Sequence, residues 1–284
     1  MPWSIFIPQA NAMSPGLSKG ELDKPMTSTD AIHEGLVQGE FFLEYLPTVS
    51  LADGRCVGAE ALARWRRSSG VVQPEEFIPL IEGTYLSGML TYWVLETVSK
   101  ELGDWLRVHK DLNIGINVPP EILGRGGLEY SSTKTGVHEI RNQIVLEVSE
   151  RGVPDKLGIA GLEAASRSGV RVALDDVTLS ATNLVILSRC TVDLIKTDRS
   201  LTDQITPECP CPAWLSGLSA LLQSTRVPII AEGVETEAQA NALRAAGVSM
   251  AQGFYFSRPI SAERLKAYYS KVGGQPGRSS TRST

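Results

Sequence analysis

Acidic residues recur at the ends of short apolar runs in this chain. Glu60 lies in AEALARW (59–65) and Glu147 in IVLEVSE. Asp175 and Asp176 close VALDD, and Glu232 and Glu235 follow VPIIA, separated by Gly233 and Val234. Carboxylates set among apolar residues are costly to bury without a counter-charge. Divalent metal is the simplest compensation, and hard oxygen ligands suit hard cations, so the pattern points to a metal-dependent site that handles phosphate. Two neighbouring Asp can hold two cations with one carboxylate between them, whereas a helix N-cap needs only one. Lys196 ends the apolar run Val192–Ile195 and can donate to a phosphate oxygen. Asn117 closes LNIGIN as a neutral oxygen donor, and Gln252 follows the last apolar run. Taken singly, each has a plain alternative: an edge-strand Glu, a turn Asn, a solvated Lys at a strand end. Their placement at successive strand ends carries the reading.

Something must bring those ends together. Apolar runs predict strands at Phe41–Leu46, Cys56–Trp65, Leu112–Asn117, Gln143–Val148, Arg171–Leu174, Val192–Lys196, Pro228–Ala231 and Ser249–Gln252. Helical patterns lie between them: Pro74–Ile81, Gly88–Val108, Pro119–Leu123, Lys156–Ser168, Ala181–Ser188, Ala213–Gln223, Glu237–Ala246 and Ala262–Ser270, with a short helix near Ile32–Gln38. In the longest, Val94, Val98, Leu102 and Trp105 share one face. Near-continuous apolar strands alternating with helices indicate a mostly parallel sheet covered by helices. The expected fold is therefore α/β, a TIM-like (β/α)8 barrel, which places active sites at strand C-termini. Asp53-Gly54 joins the first two runs as a hairpin, so the first strand is expected to be antiparallel. An open doubly wound sheet is the alternative, but no Gly-rich phosphate loop follows the first strand.

The chain has 284 residues, 42% hydrophobic and 21% charged, with a net charge of −5, as expected of a globular protein with a full core. An acidic balance argues against salt-driven binding of DNA or RNA duplexes. No run reaches the ~20 apolar residues of a membrane span, and the N-terminus lacks a signal-peptide pattern, so a cytoplasmic protein with no membrane contact is expected. Of four cysteines (Cys56, Cys190, Cys209, Cys211), none has zinc-finger spacing, and reduced thiols fit that compartment. Only three His occur, none in an acidic segment, which disfavours a His-based zinc hydrolase. Residues 1–30 are expected to be poorly ordered, 31–271 to form one domain, and 272–284 to be a disordered tail.

The segments VGAEALARW (57–65), FIPLIE (77–82), WVLE (93–96), INVP (116–119), LEVSE (146–150), VALDD (172–176), DLIKTDRS (193–200), IIAEGVET (229–236) and QGFYFSRP (252–259) together resemble the EAL domains, phosphodiesterases and receptors for cyclic di-GMP. The resemblance runs from about residue 38 to about 270. It implies two Mg²⁺ or Mn²⁺ ions. Glu60, Asn117, Glu147 and Asp175 match the ligands of one; Asp175, as a bridge, joins Asp176 and Glu232 around the other. It also implies catalytic roles for Lys196, Glu232 and Glu60, substrate contacts from Arg64, Asp198, Glu235 and Gln252, and a loop-anchoring role for Glu150. The implied reaction is hydrolysis of cyclic di-GMP to linear pGpG.

The chain departs from the family at several points. DDVTLSATN (175–183) stands where DDFGTGYSS is usual, so Val177 replaces Phe and the glycines are gone. Such glycines permit backbone angles that Thr and Ser resist. Leu46 stands where many members carry Gln, Val118-Pro119 where Leu-Ser is common, and Tyr85 where Gly is usual. Two expectations follow. The first is an active phosphodiesterase, because every matching metal ligand and Lys196 remain. The second is a weak or inactive EAL domain serving as a cyclic di-GMP receptor or protein-interaction module. A homodimer and a regulatory protein are the further partners that the resemblance implies.

Overall fold

The run FFLEYLPTVS alternates buried and part-buried side chains and forms β1 (Phe41–Ser50). It turns back at Asp53-Gly54, where Gly54 takes φ 73°, into β2 (Cys56–Arg67). The two strands pair antiparallel, with Leu46 opposite Glu60. A short β3 (Gly70–Val72) folds onto the end of β2. Parallel strands follow: β4 (Asn113–Asn117), β5 (Ile144–Ser149), β6 (Arg171–Val177), β7 (Leu194–Thr197), β8 (Ile229–Ala231) and β9 (Met250–Ala251). Because β1 pairs antiparallel with both β2 and β9, the sheet closes. With β3 as an appendage, the result is an eight-stranded TIM-like barrel whose first strand runs against its neighbours, as the hairpin signal predicts.

The computed structural model describes residues 28–149, 155–178, 192–224 and 227–272. Its helices are α1 (Thr29–Gln38), α2 (Pro74–Ile81), α3 (Tyr85–Val108), α4 (Gly127–Thr135), α5 (Lys156–Arg167), α6 (Arg199–Thr202), α7 (Ala213–Ser224), α8 (Glu237–Ala245) and α9 (Ala262–Lys271). No helix among the described residues is long and apolar enough to cross a membrane.

Several boundaries differ from expectation for identifiable reasons. Helix α1 already begins at Thr29, because the Ser28 hydroxyl accepts from the Ala31 N–H. Helix α3 starts at Tyr85 rather than Gly88, with Thr84 as its N-cap accepting from Leu86 N–H. The segment after Asn117 makes only a 3₁₀ turn, Pro120–Ile122. Pro119 and Pro120 supply no N–H there, although they suit a helix start. Helix α4 gave no sequence signal: in GLEYSSTKT the one buried helical residue is Ser131. The expected helix 181–188, the expected lead-in and tail (1–27 and 273–284), Cys190, Glu150 and positions 179–183 of the altered segment lie outside the described residues.

The core sits between barrel and helices. Leu43, Tyr45, Ile114, Ile116, Leu146 and Val148 face outward from the strands and cluster with Val94, Val98 and Leu102 of α3 and with Leu265 and Tyr269 of α9. A second cluster closes the hairpin end. Phe41 stacks on Trp65 at 5.4 Å between ring centres, and Phe77 meets Phe41 edge-on at 5.5 Å. The indole N–H of Trp65 donates to Glu40 Oε2 at 2.8 Å, so its polar edge is satisfied while the ring is buried. Trp65→Ala should therefore cost about 3–5 kcal/mol of stability. Urea melts of the two proteins check this; a loss under about 1 kcal/mol would mean that the aromatic cluster does not secure the hairpin.

Candidate active site

Strand register sets the site. Across the parallel strands Glu60 pairs with Gly115, Asn117 with Glu147, Ser149 with Asp175, and Lys196 with Ile230. Side chains two residues apart share a face. Gly115 and Asn117 thus point the same way on β4, as do Glu147 and Ser149 on β5, and Glu232 continues the row of Ile230. The pairing converts separate sequence segments into one cluster inside the C-terminal mouth of the barrel. Gly115 makes room for it, since a Cβ there would lie 2.1 Å from Glu147 Oε1. A glycine within an apolar strand was the available sign of such a close approach.

Lys196 stands at the centre. Its side chain is fully buried, and Nζ lies 3.1 Å from Glu60 Oε2, 3.0 Å from Glu147 Oε2, 3.2 Å from Asp175 Oδ2 and 2.7 Å from Glu232 Oε1. The first three are aligned hydrogen bonds; the Glu232 contact is an ion pair without that alignment. Burial would lower the Lys196 pKa, but the charges of Asp175, Glu147, Glu232 and Glu60 outweigh it and hold the ammonium well above its ordinary value. The carboxylates show the reverse. Burial raises Glu147, Asp175 and Glu232 against the pull of Lys196, and Glu232 is pushed up to about 8. One ammonium is too little positive charge for this many buried carboxylates.

The Asp pair depends on a backbone irregularity. Consecutive strand residues face opposite sides, so a regular β6 could not turn both Asp175 and Asp176 into the site. The β6–β7 register shifts between Leu174 and Val177, and Asp176 takes φ 57°, the one non-glycine positive φ among the described residues. Asp tolerates this region better than most residues, and such strain gathers at functional sites. The Asp176 carboxylate also accepts from Ser149 Oγ at 3.2 Å. The outcome is two groups of carboxylates whose oxygens lie within 4.8 Å of one another: Glu60, Glu147 and Asp175, and Asp175, Asp176 and Glu232. Asp175 belongs to both. Asn117 Nδ2 donates to Glu60 Oε1 at 2.8 Å, which places its amide against the first group. Surplus buried negative charge, hard oxygen donors and a shared central carboxylate fit a pair of divalent cations.

The remaining residues singled out in the sequence stand around this cluster without joining it. Arg64 is buried four positions beyond Glu60 on β2, with Nε 2.9 Å from Glu44 Oε2. Asp198 caps α6 by accepting from Ser200 N–H at 2.8 Å. Glu235 is exposed and accepts from Arg199 at 2.8 Å. Gln252 is buried: its amide donates to Thr48 Oγ1 at 2.8 Å, and its Oε1 has no partner. Glu44, Ser149 and Arg199 escaped sequence reasoning, because a partner on another strand or loop leaves no local pattern.

The carboxylate-and-lysine cluster lies at the C-terminal mouth of the barrel's parallel strands, where TIM barrels place their sites. Residues 29–259 match the EAL domain family, and the chain belongs to it. It is 32% identical over 236 residues to a probable cyclic di-GMP phosphodiesterase of Escherichia coli K12, PdeB, covering 82% of this chain and 45% of that protein. It is also 32% identical over 244 residues to the bifunctional diguanylate cyclase/cyclic di-GMP phosphodiesterase MucR of Pseudomonas aeruginosa, covering 83% of this chain and 35% of that protein. The chain thus spans less than half the length of either relative. Among solved structures, the cyclic di-GMP complex of the MucR phosphodiesterase superposes with a TM-score of 0.74 at 29% identity, covering 83% of this chain and 98% of the other.

The raised carboxylates set a pH dependence for the protein in chelator. They bind protons more tightly folded than unfolded, so their contribution is most favourable at low pH. It is lost as pH rises from about 4.5 toward about 8. A shift of this size is worth up to a few kcal/mol. Urea midpoints measured in chelator at pH 5 and pH 8 should fall with rising pH, and Mn²⁺ should flatten the slope. A midpoint that rises over this range would contradict the assignment.

Proposed function

We propose that the chain is a cyclic di-GMP phosphodiesterase that opens one phosphodiester bond to give linear pGpG. The observation that carries the reading is the Lys196 ammonium held among Glu60, Glu147, Asp175 and Glu232 at the barrel mouth. The names of its relatives support the choice of substrate. Glu60, Asn117, Glu147 and Asp175 would hold one Mg²⁺ or Mn²⁺, and Asp175, Asp176 and Glu232 the other. Such ions lower the pKa of a water and neutralise charge on the phosphoryl oxygens.

The protein's own groups supply the rest. Lys196 donates from Nζ to a non-bridging phosphate oxygen, and the gain is large because the site is shielded from bulk water. Glu232, in the second carboxylate group and 2.7 Å from Lys196 Nζ, would accept a proton from the attacking water. Water attacks phosphorus in line with the 3′ oxygen; the P–O3′ bond breaks, and the leaving oxygen takes up a proton. Arg64, at the rim of β2, would meet the phosphate backbone of the dinucleotide. Asp198 and Glu235 would order the loops that border it through their contacts with Ser200 and Arg199. Among the described residues no Ser–His or Cys–His pair offers a covalent route.

The test is conversion of cyclic di-GMP to pGpG by purified protein with Mn²⁺ or Mg²⁺, followed by chromatography. Turnover should need the metal. Glu60→Ala and Lys196→Ala should each lower it by about 10²-fold or more. Binding of cyclic di-GMP without turnover in either metal would replace this reading with that of a receptor. The altered sequence beginning at Val177 is the feature that favours this second reading.

A further inference from the structure

Lys196 Nζ contacts one oxygen from every member of the first carboxylate group, at 3.0–3.2 Å, and reaches Glu232 of the second. These are the carboxylates that a divalent cation would need. Like charges held this close in a shielded site repel strongly, so an ammonium and a dication do not share the centre at full strength. We infer that Lys196 is a built-in counter-cation of this site, and that a divalent ion must compete with its ammonium for the same carboxylates. The inference rests on the metal-site reading above, but not on hydrolysis.

The alternatives make different demands. A lysine serving only the substrate would leave metal affinity unchanged when its charge is removed. One serving only as a structural ion pair would be needed whether or not metal were bound. Competition gives Lys196 two successive tasks. Without metal it keeps Glu60, Glu147, Asp175 and Glu232 converged, since buried carboxylates lacking a counter-charge would spread or take up protons. With an ion bound, the carboxylates would be engaged by it, and the Lys196 ammonium would be free to donate to a phosphate oxygen. Metal would therefore bind before productive substrate, and the freed ammonium is then the donor that a phosphate oxygen finds.

Lys196→Met keeps the apolar stem and removes the charge. Thermal melting and Mn²⁺ calorimetry, both without cyclic di-GMP, read the consequence independently of any activity. In chelator the variant should melt below the wild type. Its melting temperature should rise more on adding Mn²⁺, and its Mn²⁺ affinity should be higher by about tenfold, because one unit of like charge has left the site. A variant that folds only in Mn²⁺ gives the same support. Unchanged or weaker Mn²⁺ affinity in a folded variant would overturn the inference, as would a variant that stays unfolded with and without Mn²⁺. Failure of the hydrolysis assay would leave these measurements standing, so the two readings fail separately.

Discussion

A single ammonium, fully enclosed and within 2.7–3.2 Å of four carboxylates, sets the terms for the rest of the molecule. Neither side would be stable alone. A buried lysine without anions would lose its proton, and buried carboxylates without a cation would gain protons. Together they remain unbalanced, with burial raising Glu147, Asp175 and Glu232 even beside Lys196. The barrel concentrates negative charge beyond what Lys196 neutralises, a surplus that divalent cations would complete. Gly115, whose missing Cβ admits the Glu147 carboxylate, and the ring of paired strands exist in register with this cluster.

The second constraint lies in β6. Two adjacent aspartates serve one site only if the strand breaks its alternation, and the shifted β6–β7 register with Asp176 at φ 57° does so. The cost of that conformation is about 1–3 kcal/mol, which the surrounding barrel must outweigh. Strain of this kind ties the placement of the Asp175–Asp176 pair to the backbone just before the segment where the sequence departs from other EAL domains. Val177 is buried and paired to Thr197, so the substitution for Phe alters packing directly beside the aspartate pair.

Much of this was legible in the sequence, because barrel strands announce themselves. Short apolar runs ending in Glu147, Asp175, Lys196 and Glu232 marked both the strands and the end on which the carboxylate cluster lies. The antiparallel first strand followed from Asp53-Gly54. Legibility failed where structure depends on contacts distant in sequence. Helix α4 has almost no apolar face of its own and packs against α3. The bulge at Asp176 is set by how β6 meets β7. The partners Glu44, Ser149 and Arg199 reach Arg64, Asp176 and Glu235 across strands or loops. Gln252, expected as a ligand contact, is buried with its amide on Thr48 and its Oε1 unpartnered, a placement with no local sequence pattern.

The acidic cluster, under-neutralised by Lys196 alone, would be completed by divalent cations. Calorimetric titration of Mn²⁺ into chelator-treated wild-type protein near pH 7, repeated in buffers of different ionisation enthalpy, reads both the ions bound and the protons displaced. Saturable binding of two ions per chain with release of protons is expected, because burial raises Glu147, Asp175 and Glu232 above the usual carboxylate range and metal binds their deprotonated forms. No binding, or binding without proton release, would contradict it.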